Sequence, residues 1–128
     1  MSTLKKVLYT EDDASIQLVA TMALKDIGGM EVQVCSSGQE AIYNAATFEP
    51  NLLLLDVVMP GLDGPATLKA LRKLKATATT PAIFMTAKSN PDEIEKLMKL
   101  ADVIGVISKP FDPMTLAEQV RQTWNEHQ

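Results

Sequence analysis

Asn51-Leu52-Leu53-Leu54-Leu55-Asp56-Val57-Val58-Met59-Pro60 decides how this chain of 128 residues is read. The apolar run is short, unbroken and bounded by Pro50 and Pro60. It is too short for a typical helix and has the character of a strand buried on both faces. The run ends on Asp56, a carboxylate that an apolar environment penalises unless something pairs with it. An Asp at a strand end is also an ordinary turn residue, so its meaning depends on what the rest of the chain brings to it.

Strand and helix signals alternate on both sides of this run. Upstream, residues 7–10 form a strand candidate that runs directly into Glu11-Asp12-Asp13. Ile16, Val19, Ala20, Ala23, Leu24 and Ile27 then recur at helical spacing. Asp12 or Asp13 serves as the cap of that helix and Gly28-Gly29 as its end. Residues 31–35 make a second strand, and Ser37 and Glu40 have capping-box spacing at the start of a helix carrying Ala41, Ile42, Ala45 and Ala46. Downstream, residues 59–64 are turn chemistry. Pro65 suits the first position of a helix whose stripe of Leu68, Leu71 and Leu74 extends to Lys75.

A small polar connection, 76–80, leads to a fourth strand ending at Thr86. Asn90 and Pro91 then open a helix with Ile94, Leu97, Met98 and Ala101 on its buried side. Residues 103–108 form the fifth strand, and Asp112-Pro113 opens a last helix with Leu116, Ala117, Val120 and Trp124 facing inward. Five such alternations predict an α/β fold, a doubly wound five-stranded parallel sheet with helices on both faces. The flavodoxin-like order 2-1-3-4-5 is the common solution at this size. No repeat or interdomain linker interrupts the pattern, so residues 1–128 are read as one domain.

Composition narrows the function classes. The formal net charge is -4, from 12 basic and 16 acidic residues, which argues against nucleic acid as a partner. Cys35 is the sole cysteine, so no internal disulfide is available and a reducing, cytoplasmic setting is expected. It lies in an apolar–polar alternation and reads as a small strand residue. The apolar segment at residues 7–10 is far too short for a signal-peptide core, and no stretch approaches the length of a membrane-spanning helix. Lys69, Arg72, Lys73 and Lys75 read as a solvated helix face, and Trp124 as core packing. The methionines suit core filling or an adaptable surface. His127 is expected to be neither a metal ligand nor a phosphate donor.

The predicted topology converges the acids. Glu11 and Asp12 leave the carboxyl end of the first strand, and Asp56 that of the third, its neighbour across the switch point where ligands bind in open α/β sheets. Carboxylates about 4 Å apart repel by roughly 4 kcal/mol per pair at an effective dielectric near 20. Cations must therefore compensate, and a hard divalent ion such as Mg²⁺ suits oxygen ligands. Thr86 ends the fourth strand with a hydroxyl, and Lys109 follows the fifth with an ammonium. Individually, Thr86 is also an ordinary turn former and Lys109 a solvated strand end. Together with the acids they converge on one site.

Glu11-Asp12, Asp56 with Met59-Pro60-Gly61-Leu62-Asp63-Gly64, Thr86-Ala87 and Lys109-Pro110-Phe111 together resemble the receiver domain of two-component response regulators over essentially the whole chain. The resemblance implies a signalling module that assists its own phosphorylation and dephosphorylation and is not a dedicated enzyme. Asp56 would accept a phosphoryl group from the phosphohistidine of a sensor histidine kinase or phosphotransfer protein. Asp12, Asp56 and the backbone carbonyl of Val58 would hold Mg²⁺ directly, and Glu11 through water. Lys109 would pair with Asp56 and then with phosphoryl oxygens, while the Thr86 hydroxyl and the Ala87 backbone N–H would hold another. The Lys109–Pro110 bond is expected to be cis.

Two departures from the family pattern stand out. Val106 occupies a place where many relatives carry Tyr or Phe, and Asp102-Val103 replace residues that are often small. Val58, two residues past Asp56, is apolar and cannot orient a hydrolytic water, so slow loss of the phosphoryl group is expected. Lys88 reads as solvated. The rival readings are a flavin- or nucleotide-binding protein of the same architecture, an Asp56- and Mg²⁺-dependent hydrolase, and an inactive receiver that only docks.

Overall fold

The computed structural model describes residues 3–128; Met1 and Ser2 of the expected 1–128 domain lie outside the described residues. Its elements in chain order are β1 (Lys6–Thr10), α1 (Ala14–Met22), β2 (Glu31–Cys35), α2 (Gly38–Phe48), β3 (Leu52–Asp56), α3 (Gly64–Leu71), β4 (Ala82–Thr86), α4 (Pro91–Met98), β5 (Val103–Ser108) and α5 (Leu116–His127). The strands form a single sheet in the order β2-β1-β3-β4-β5, and every pairing is parallel. The α/β architecture and strand order are those predicted from the alternation.

The sheet's centre is the Leu run. Leu52 and Leu54 join the core beneath α1 and α5, and Leu53 and Leu55 the core beneath α2, α3 and α4. All four are completely buried, each contributing about 1.5–3 kcal/mol of apolar burial. Pairing of β3 with both β1 and β4 satisfies its backbone, as a strand buried on both faces requires.

The helix starts follow the local chemistry. Asp13, not Asp12, caps α1 by accepting from the N–H groups of Ser15 and Ile16. Ser37 caps α2, Asp63 caps α3 ahead of Pro65, and Asn90 caps α4 ahead of Pro91. α1 continues as a π-helical turn, Ala23–Ile27.

Several helix expectations are corrected. Val19 and Ile27 on the first helix are exposed, as are Met98 at the end of α4 and Ala101 beyond it. Ile94 is half-buried, and Leu97 alone of that set is fully buried. α3 ends at Leu71 rather than Lys75, because the Arg72 guanidinium donates to the Thr77 and Thr80 carbonyls and folds the chain into a 3-10 turn at Lys75–Thr77. The same guanidinium donates to the Ala101 carbonyl, so Arg72 is a half-buried tie and not part of a solvated basic face. α5 begins at Leu116, not at Asp112. Asp112 instead caps a preceding turn, its carboxylate accepting from Met114 N–H and its carbonyl from Thr115 and Leu116.

Candidate functional site

Because β1 and β3 are neighbours running the same way, with Thr10 beside Leu55, their carboxyl ends deliver Glu11 and Asp56 side by side. Oxygens of Glu11, Asp12 and Asp56 lie within 4.8 Å of one another. Glu11 is 1% and Asp56 5% exposed, whereas Asp12 faces solvent. The Glu11 backbone is fixed by its N–H, which donates to the Cys35 carbonyl at 3.0 Å. A Gln17 side-chain N–H from α1 donates to the Glu11 carbonyl.

Lys109 reaches this pair from the end of β5. Its Nζ lies 2.9 Å from Glu11 Oε1 and 3.1 Å from Asp56 Oδ1. The resemblance paired Lys109 with Asp56; Glu11 is a second and shorter partner. Burial pulls the ammonium's pKa down, but its hydrogen bonds and charge interactions with Glu11 and Asp56 prevail and hold it above the ordinary lysine value. Three clustered carboxylates thus have one ammonium among them, paired with Glu11 and Asp56. This leaves an excess of negative charge on hard oxygen donors, the chemistry of a divalent-cation site.

Thr86 is buried at the end of β4. Its carbonyl accepts from the Lys109 backbone N–H at 2.8 Å, and its hydroxyl accepts from Lys88 N–H at 2.9 Å. Ala87 is exposed and lines, with Lys109, Ile16, Val19, Phe111 and Pro113, an apolar cavity of about 430 Å³ beside the acids. The Lys109–Pro110 peptide is cis. Val58 is 65% exposed on the loop that leaves Asp56. That loop folds back tightly: Gly64 N–H donates to the Val57 carbonyl at 2.8 Å. A Cβ at Gly64 would collide with the Asp56 carbonyl and lie 2.9 Å from Val57 Cα, so glycine is required there by contact rather than by φ.

Other candidates are placed plainly. Val106 is half-buried against the α2–α4 core, and Lys88 and His127 are exposed. Trp124 is buried at 4%. Cys35 is fully buried; burial, and secondarily Glu40, push its thiol up to about 12 despite the Asn44 contact, as an inert strand residue requires. Met30, Met59 and Met85 fill the cores, whereas Met22, Met98 and Met114 are exposed. Met1 lies outside the described residues. Asp102 takes a positive φ of 58° in the loop where the sequence departs from its relatives. Helical periodicity passed over Gln17, because a polar residue on an amphipathic helix gives no signal of the loop it touches.

No helix among the described residues is long and apolar enough to cross a membrane. The model of the response regulator receiver domain matches residues 7–121. The alkaline phosphatase synthesis transcriptional regulatory protein PhoP of Bacillus subtilis is 35% identical, over 91% of this chain and 47% of its own length. The DNA-binding response regulator MtrA of Mycobacterium tuberculosis H37Rv is 32% identical, over 94% and 51%. The chain therefore spans about half the length of these curated relatives. Among solved structures, chemotaxis protein CheY4 of Vibrio cholerae superposes with a TM-score of 0.85 at 29% identity, covering 94% of this chain and 99% of that one. The expectation that nucleic acid is not a partner finds no support among relatives described as DNA-binding or transcriptional. Matched along most of its length by the receiver model and sharing the CheY4 fold, the chain belongs to the response regulator receiver family.

Proposed function

We propose that residues 1–128 form a single cytoplasmic signalling domain in which Asp56 accepts a phosphoryl group from a phosphohistidine on a sensor kinase or phosphotransfer protein. The observation that carries this reading is the buried Asp56 carboxylate beside Glu11, Asp12 and the Lys109 ammonium at 3.1 Å. In the transfer, an Asp56 oxygen forms a bond to phosphorus as the phosphorus–nitrogen bond breaks. The imidazole nitrogen leaves with that electron pair and takes a proton from water. Lys109 is placed to exchange its carboxylate partners for phosphoryl oxygens. The Thr86 hydroxyl at the end of β4 and the Ala87 N–H just past it would supply neutral donors. Phosphoryl transfer depends mostly on such positioning and charge neutralisation.

Asp12, Asp56 and the Val58 carbonyl would hold Mg²⁺, with Glu11 acting through water. The ion would neutralise charge on the phosphoryl oxygens. A flavin or nucleotide phosphate would have to sit against Glu11, Asp12 and Asp13, which disfavours that alternative. The exposed, apolar Val58 orients no water, so the acyl phosphate is expected to persist; decay within a few seconds would contradict this. The function itself is tested by incubating the chain with phosphoramidate and Mg²⁺. An acid-stable, base-labile phosphoryl group on the unaltered chain and none on Asp56→Asn is the expected result. No incorporation into the unaltered chain overturns the proposal.

A further inference from the structure

We infer that Gln17 is a positioning residue for metal binding, holding the acidic loop from outside the site. This rests on the reading of Glu11, Asp12 and Asp56 as a Mg²⁺ site. The side-chain amide nitrogen of Gln17 donates to two segments at once, the Glu11 carbonyl and Ser36 Oγ, the latter at 3.1 Å. Ser36 is itself anchored, since its N–H donates to Glu40 Oε2 at 3.2 Å in the first turn of α2. One amide therefore ties α1, the loop leaving β1 and the loop leaving β2 into a single unit.

The need for such a tie follows from the charges. Glu11, Asp12 and Asp56 keep oxygens within 4.8 Å of one another, and their mutual repulsion drives the loop apart. Lys109 restrains Glu11 and Asp56 through their carboxylates, and no ion pair among the described residues restrains Asp12, the exposed member of the three. The loop's own backbone has to hold it. On one side of Asp12, the Glu11 N–H is bound to Cys35 and the Glu11 carbonyl to Gln17. On the other, Asp13 caps α1 while its N–H donates to Glu11 Oε2 at 3.3 Å. The Gln17 amide is the only one of these ties made by a side chain outside residues 11–13. Its loss leaves the cap and the strand pairing intact and releases the carbonyl directly before Asp12.

The variant Gln17→Met keeps length and helix propensity and deletes the amide. Hydrogen-bonding partners one step beyond a metal's ligands are typically worth 10–100-fold in affinity. Gln17 acts one bond further out, through the backbone, so about a 3- to 10-fold weaker Mg²⁺ affinity by titration calorimetry is expected. The thermal midpoint without metal should fall by no more than about 7 °C, since only two partly exposed hydrogen bonds are lost. With phosphoramidate at low Mg²⁺ the variant should be slow, and excess Mg²⁺ should restore its rate. Ser36→Ala, which removes one end of the tie, should show a smaller loss of affinity.

A Gln17→Met protein whose Mg²⁺ affinity stays within twofold of the unaltered chain overturns the inference, whatever its thermal midpoint. So does a slow rate that excess Mg²⁺ does not restore. An unaltered chain that binds no Mg²⁺ overturns the reading of the site, and the inference with it.

Discussion

Replacing Lys109 by Met leaves two buried carboxylates facing each other with no cation between them. At an effective dielectric near 20, unit charges at the observed 2.9 and 3.1 Å attract by about 5–6 kcal/mol each. Much of that is offset by the cost of desolvating the ammonium. What remains once the lysine is gone is repulsion between Glu11 and Asp56, which at no more than 4.8 Å amounts to at least about 3 kcal/mol on the same scale. Removing one member of a buried ion pair typically costs about 3–5 kcal/mol, and we expect a loss in that range at pH 7 in a chelator.

Urea unfolding followed by the fluorescence of buried Trp124 reads the effect. With a slope of about 1.5 kcal/mol per molar urea, the midpoint falls by roughly 2 M or more. The alkaline limb supplies a second reading. The folded pKa of Lys109 is raised above its ordinary 10.5, so the stability that this group contributes is complete below that value. It is lost as pH rises through the folded pKa. Lysine-dependent loss of stability above pH 10.5 should therefore be present in the unaltered chain and smaller in Lys109→Met. An unfolding free energy within about 0.5 kcal/mol of the unaltered chain at pH 7 would refute the reasoning, because surface pairs alone are worth that little.

Other sites give sharper, smaller tests. Arg72→Met should cost about 2–3 kcal/mol in thermal denaturation, since carbonyls of Thr77, Thr80 and Ala101 lose a charged donor; Arg72→Lys should recover only part, because one ammonium cannot reproduce the guanidinium fork. Tyr9 is fully buried, and its hydroxyl finds no hydrogen-bond partner among the described residues, so Tyr9→Phe should leave urea stability unchanged or raise it by up to about 1 kcal/mol. Cys35, buried with its thiol pushed up to about 12, should resist a thiol reagent at pH 8 in native protein and react promptly in urea.

Much of this structure was legible in residues whose meaning is local. Ser37 and Asn90 cap helices where their spacing predicts, and the uninterrupted Leu52–Leu55 run marks the central strand, because capping and two-sided burial act within a few residues. The convergence of Glu11, Asp12, Asp56 and Lys109 was legible through topology, since parallel strands send their carboxyl ends to one edge. What escaped was set by contacts distant in sequence. Arg72 looked like one more surface charge until three carbonyls from two loops surrounded it. Gln17 carried no periodic signal because its partners are backbone and hydroxyl oxygens. Met98 and Ala101 matched the apolar stripe of α4, yet the short helix buries only Leu97 fully, and periodicity cannot say how wide a face the sheet will cover. The Lys109 contact with Glu11 likewise depends on how far one flexible side chain reaches across β4 and β3.

The Arg72 tie also bears on how the chain tolerates being cut. Its three acceptors lie in the segments that enter β4 and β5, at the opposite edge of the sheet from Asp56. Thr77 and Thr80 sit on either side of Ala78-Thr79, an exposed tip that would look like a natural place for new termini. A circular permutant opened there would hand the two carbonyls to opposite ends of the polypeptide, and one guanidinium would have to hold both ends in place. The floor of this domain is thus a poor place for insertions or fusion junctions, although its loops are short, polar and open to solvent.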